Sequence, residues 1–230
     1  MTARGDRDHS VVLHQIEAAD ADRVHEWASQ ERACRFQPWG PNTREQTGDF
    51  VSEAVRTWER PGGPRLVWAA SSALGFIGMG EIKRHTTSCA DIAYAVHVAY
   101  WGRGLGTQIA RLLLAIAFAN PAVERVQGTC DPRNLASAAV LRRAGLTFEG
   151  TLRRASSTTG PRRAFATRSC SSGQAVAPAS AECRACRGRS PGRLARYVAS
   201  RSLAPLLSAT SSVSGMTVAS SVFQAASNTT

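Results

Sequence analysis

The 230-residue sequence contains no apolar run approaching the roughly 20 residues that a membrane-spanning helix requires. Its best stretch, Leu112 to Ala119, has the length of a core helix. Met1 to Ser10 mix Arg4 and Arg7 with Asp6 and Asp8 and hold no apolar segment, so no secretory leader is expected. The six cysteines, Cys34, Cys89, Cys130, Cys170, Cys183 and Cys186, follow no framework spacing. Without a leader they are expected to be reduced thiols of a cytoplasmic protein rather than disulfides. Parts for a metal site are equally scarce. Cys183-Arg-Ala-Cys186 is a single CxxC, zinc wants a second pair or nearby histidines, and no histidine follows His97. Neither a metal nor a membrane partner is expected.

Acidic residues are scarce in one part of the chain only. Residues 1–150 carry 17 Lys+Arg against 16 Asp+Glu, whereas residues 151–230 carry 11 Arg, no Lys and one acid, Glu182. The net charge of +11 therefore belongs to the tail. There the arginines are dispersed, with Phe165 and Tyr197 as their only aromatic neighbours, so no specific nucleic-acid partner is expected. From about Ala155, Ser and Ala supply 31 of the remaining 76 residues and hydrophobic periodicity fades. The organisation read from this is one folded domain over residues 1–154 and a tail over 155–230 that is disordered or the product of a shifted reading frame.

The first 150 residues show regular patterning. Val11 to Ile16 reads as a strand, followed by a helix capped by Asp20 and running through Val24, Trp27 and Ala28. Thr43 with Gln46 forms a capping box for a second helix with an apolar face of Phe50, Val51, Ala54, Val55 and Trp58. Leu66–Ala70, Leu74–Ile82 and Ala90–Ala99 read as an antiparallel meander. In the third, Ile92, Tyr94, Val96 and Val98 alternate with Asp91, Ala93, Ala95 and His97. A glycine turn, a helix over about 107–119, a strand over 125–130 and a helix over 135–144 closed by Gly145 complete a mixed α/β pattern.

The turn Trp101-Gly102-Arg103-Gly104-Leu105-Gly106-Thr107 carries the most chemistry. A pyrophosphate set against it meets successive backbone N–H groups and the positive end of the following helix. Gly104 and Gly106 permit positive φ and close approach to an anion. No Lys-Ser/Thr follows, as a nucleotide P-loop would need, and the preceding strands do not read as the parallel pair of a dinucleotide fold.

Strand, Arg-Gly-x-Gly-Thr turn, helix and strand, followed by Asn134-x-x-Ser137 and Gly145-Leu146-x-Phe148-Glu149-Gly150, resembles the GNAT acetyltransferase superfamily over about residues 10–154, in particular its RimJ/RimL-like branch. The resemblance implies an α/β (α+β) fold with a mixed, mainly antiparallel twisted sheet flanked by helices. It implies acetyl-CoA as co-substrate and transfer of an acetyl group to a primary amine, on a protein N-terminus or on a small molecule such as an aminoglycoside antibiotic. A non-catalytic acetyl-CoA binder is the alternative, and a homodimer is left open. Backbone groups near Val96 and Val98 are expected to pair with the pantetheine arm, Arg103, Gly104, Leu105, Gly106 and Thr107 to hold the pyrophosphate, and Asn134 to contact the cofactor or cap its helix.

Amine acetylation needs a proton acceptor for the amine and a donor for the leaving thiolate. Many family members use a Tyr seven residues after the motif Asn; here that position is Leu141. The branch resemblance nominates Ser137 as the hydroxyl near the sulfur, and Asp91 is the candidate base through water, with Glu81 a weaker one. His97 is read as a surface residue, and Trp39 and Trp101 as cleft lining or packing anchors. After Arg154 the strand pair that normally completes this family's sheet is not found, and it is expected to be missing.

Overall fold

A computed structural model describes residues 10–60, 62–153 and 161–168. Among them seven strands form one sheet in the order β1-β2-β3-β4-β5-β7-β6. β1 (Val12–Gln15), β2 (Arg65–Ser72), β3 (Gly75–Arg84) and β4 (Cys89–Val96) pair antiparallel in chain order, which is the expected meander with one strand added at its edge. β5 (Arg125–Cys130) runs parallel to β4, because α4 (Leu105–Phe118) carries the chain back between them. β7 (Arg162–Arg168) lies antiparallel between β5 and β6 (Thr147–Leu152).

Strand alternation sends neighbouring residues into two cores. Val67, Ala69 and Met79 pack with Ile16 and with Val24 and Trp27 of α1 (Ala21–Ala28) and Phe50, Val51 and Ala54 of α3 (Arg44–Trp58). Trp68, Ala70, Ile82, Ile92 and Val126 pack on the other face with Leu105, Ile109 and Leu113 of α4 and Leu141 of α5 (Leu135–Ala144). The helices approach where the sheet has glycine. A Cβ on Gly128 would stand 2.9 Å from Leu141 Cδ2, and one on Gly80 3.0 Å from Leu113 Cδ2.

Local signals place the helix starts. Thr43 Oγ1 accepts from Gln46 N at 3.2 Å and Gln46 Oε1 from Thr43 N at 2.9 Å, the reciprocal box expected for α3. Asp20 does precede α1, but its carboxylate accepts from Glu17 N at 3.0 Å instead of capping α1. α2 is one short turn, Glu31–Cys34.

Two expectations are corrected. β4 ends at Val96 rather than Ala99: His97 Nδ1 accepts from Ala99 N at 3.1 Å and turns Val98–Tyr100 into a 3-10 helix. Beyond Arg154, where no strand was expected, β7 forms and pairs with β6, so the sheet continues to Arg168. The buried residues of β7 are Phe165, Ala166 and Arg162, so hydrophobic alternation there is faint. Residues 154–160 and 169–230, with the CxxC pair and most of the segment read as disordered or frame-shifted, lie outside the described residues. Among the described residues Cys34, Cys89 and Cys130 are free thiols, and no helix is long and apolar enough to cross a membrane.

Candidate active site

β4 and β5 remain paired only over Cys89–Asp91 and Arg125–Gln127. Beyond that, Ile92–Val96 pairs with β3 alone and Gly128–Cys130 with β7 alone, so the two strands part towards their C-terminal ends. The facing edges of this wedge carry backbone groups without a strand partner. The glycine turn before α4 and the Asn134–Ser137 start of α5 flank its open end.

The glycine turn closes one side. Gly102 (φ 80°) and Gly104 (φ 77°) are left-handed, and Gly104 caps α4. Gly106 differs from expectation: it lies in the first turn of α4, and a Cβ there would stand 3.5 Å from Val96 Cγ2 and Val140 Cγ2. The amides of Thr107 and Gln108 return to Gly104 O at 3.0 and 3.3 Å. Among the described residues the amides of Arg103, Gly104, Leu105 and Gly106 meet no acceptor, which leaves four donors at the positive end of a 14-residue helix. Arg103 is exposed, its guanidinium 5.6 Å from the Tyr100 ring. The strand side is less open than expected. Val96 O accepts from Trp101 Nε1 at 2.7 Å, and Val98 O from Trp101 N at 3.3 Å. The Val98 carbonyl is therefore spent in a turn, not offered at a strand edge.

α5 closes the other side. Asn134 caps it, its Oδ1 accepting from Ser137 N at 3.0 Å. That bond presents Ser137 to β4, where the Tyr94 hydroxyl lies 3.0 Å from Ser137 Oγ and donates to Ser137 O at 3.2 Å. Burial pushes the Tyr94 phenol well up, against the opposing hydrogen bond to Ser137, so it remains a proton donor. Cys130, buried at the end of β5, also reaches Ser137, and burial raises its thiol. Tyr94 is not among the residues that the sequence nominates for this site. Its alternation with Ile92 and Val96 marks the correct face, but nothing in the sequence links it to a serine 43 residues away.

Asp91 and Ser137 are not brought together. Asp91 points to the sheet face opposite Tyr94, in the still-paired part of β4, and its Oδ2 lies 2.8 Å from His85 Nε2. Its Oδ1 is buried without a hydrogen-bond partner. Glu81, on the same face, is buried and accepts from Arg65 Nε at 2.8 Å. Burial pushes the Glu81 carboxyl up, and Arg65 opposes it. His97 caps its own turn, lies tilted against the Tyr100 ring and has its Nε2 4.0 Å from Glu26 Oε2. Trp39 packs edge-on against Trp27 at 6.1 Å, as a core anchor, while Trp101 is 44% exposed beneath the Arg32 guanidinium.

Residues 10–147 match the family model described as an acetyltransferase (GNAT) domain. The probable N-acetyltransferase YjcK of Bacillus subtilis (strain 168) is 33% identical over 81 residues, which are 35% of this chain and 45% of that protein; the chain thus spans under half of that relative's length. Two solved structures share the fold. RimL, a ribosomal α-N-protein acetyltransferase in complex with coenzyme A, has a TM-score of 0.60 at 18% identity and covers 69% of this chain and 94% of its own. The aminoglycoside acetyltransferase AAC(6')-Ib with coenzyme A and kanamycin has a TM-score of 0.59 at 19% identity, covering 69% and 95%.

Proposed function

The chain belongs to the GNAT acetyltransferase family, and we propose that it moves an acetyl group from acetyl-CoA directly to a primary amine. One observation carries this reading: the β4–β5 wedge brings four unengaged amides at the start of α4 to the same open end as the Tyr94–Ser137 hydroxyl pair. The first suits a pyrophosphate and the second a leaving sulfur. RimL and AAC(6')-Ib, both solved with coenzyme A, support the choice of co-substrate.

The residues divide the work as follows. The amides of Arg103, Gly104, Leu105 and Gly106, with the Arg103 side chain, bind the anion, and Asn134 holds Ser137 in place. Acetyl-CoA supplies an activated acetyl thioester. As the amine nitrogen bonds to the acetyl carbon, the carbon–sulfur bond breaks and the nitrogen loses a proton. Ser137 gives its hydroxyl proton to the departing sulfur and is resupplied by Tyr94. Asp91, on the opposite face of β4 with its Oδ2 on His85, receives the amine proton only through intervening water. The acceptor is a protein N-terminus, as in RimL, or a small amine, as in AAC(6')-Ib; the protein acts in the cytoplasm.

Thiol release from acetyl-CoA, followed over a panel of N-terminal peptides and aminoglycosides, tests the reading. Ser137→Ala should lower kcat with the KM for acetyl-CoA unchanged. Acetyl-CoA binding without turnover of any amine would favour a non-catalytic binder and sink the proposal.

A further inference from the structure

A buried cation without a counter-charge stands at the open end of the wedge. Arg162 begins β7 and is 5% exposed, although arginine is almost never fully buried unless paired. Among the described residues no carboxylate comes within ion-pair distance of its guanidinium and no hydrogen bond reaches it. The acid nearest in its field, Asp131, is committed to Arg133, accepting from Nε at 3.0 Å, Nη2 at 2.9 Å and the backbone N at 2.8 Å. The preceding residues 154–160 contain no Asp or Glu, and the only acid after Glu149 is Glu182. Burial lowers the Arg162 pKa, the sign of a charge partly withdrawn from water.

Its position says what this charge faces. Arg163 lies opposite Cys130, so Arg163 and Cys130 share the face of α4 and α5, and strand alternation sends Arg162 to the other face. That is the face of Gln127 and Asp91, opposite the anion-binding start of α4. Phe36, just after α2, lies over the same end, with the Arg133 guanidinium 5.8 Å and the Arg35 guanidinium 5.2 Å from its ring. Arg162 thus lies one strand over from the wedge, in the field of Asp131, whose partner Arg133 lies over Phe36.

We propose that Arg162 receives an oxyanion of the acceptor, so that the substrate class is an amine carrying a carboxylate or phosphate, and polycationic amines such as aminoglycosides are poor acceptors. This rests on the transferase reading and specifies which acceptor it uses.

Two matched pairs of probes test it: L-serine against L-serinamide, and the peptide amides Ser-Asp-Asp against Ser-Asn-Asn, with kanamycin as the polycation. One charge-assisted contact predicts an advantage of about tenfold or more in kcat/KM for the anionic member of a pair. Whichever pair shows it identifies the source, a free α-carboxylate or an acidic side chain. Arg162→Gln should abolish the advantage while leaving the neutral acceptor and the KM for acetyl-CoA unchanged, and Arg162→Lys should keep part of it. Calorimetric titration of the same probes into the protein–coenzyme A complex gives a readout independent of turnover. Anionic preference in binding that is lost in Arg162→Gln supports the proposal even if no amine is acetylated, a result that would count against the transferase reading alone. Equal binding of both members, kanamycin as the best acceptor, or an Arg162→Gln defect confined to coenzyme A affinity overturns it.

Discussion

Replacing Gly104 by alanine isolates the backbone of the turn from its surroundings. Gly104 sits at φ 77°, ψ −2°, and a Cβ built on it meets nothing within 4 Å. No neighbour resists the methyl group, so the cost is that of a left-handed L-residue alone, about 1–2 kcal/mol. For a domain of this size each kcal/mol corresponds to about 2–4 °C of melting temperature, which predicts a fall of about 2–8 °C. The chain can relieve that cost by rotating the turn to negative φ, which swings the free amides of Gly104 and Leu105 away from an anion. Gly75→Ala, outside the turn at φ 90° with equally open space, is the matched control. Both variants should melt lower, but only Gly104→Ala should respond weakly to acetyl-CoA in differential scanning fluorimetry. A ligand at a hundred times its Kd stabilises by about 2.7 kcal/mol, and each tenfold loss of affinity removes about 1.4 of that. A Gly104→Ala protein with the full ligand-induced shift would refute the cradle.

Asn134→Ala removes the acceptor of Ser137 N and should cost about 1 kcal/mol in urea unfolding, while Asn134→Asp keeps the cap and most of the stability. Burial raises the Glu81 carboxyl in the folded state, so the folded protein binds this proton more tightly than the unfolded chain does. Stability from this group is therefore present below the ordinary carboxylate range and lost as pH rises through the raised value. Glu81→Gln should flatten that slope in urea unfolding at mildly acidic and mildly alkaline pH, and an unchanged slope would place the pH dependence elsewhere.

Much of this architecture can be read from short-range pattern. The Thr43–Gln46 box, the strand at Arg125–Cys130, the Asn134 cap and the Gly145 stop depend on residues within one turn of each other, and each stands where the spacing puts it. Asp20 shows the limit, since two nearby amides compete for one carboxylate and the Glu17 amide wins. β7 escaped notice because arginine and alanine fill most of a strand whose only large apolar residue is Phe165. The expected strand ran three residues past the end of β4 because alternation continues through His97 and Val98, while the His97 side chain ends the strand by capping a turn. At the site, the glycines of the turn declare themselves by backbone chemistry. The Tyr94–Ser137 contact and the removal of Asp91 to the opposite face depend on pairings over tens of residues, which no local spacing encodes.

Hydrogen-exchange mass spectrometry with and without acetyl-CoA reads the amides of the turn and of the β4 edge themselves. Amides that bond to nothing in the protein exchange freely until a ligand takes them. Acetyl-CoA should slow exchange over residues 103–106 and along 92–96, with little change in α1 and α3. Unchanged exchange in the turn at saturating acetyl-CoA, or protection confined to another surface, would contradict acetyl-CoA binding there.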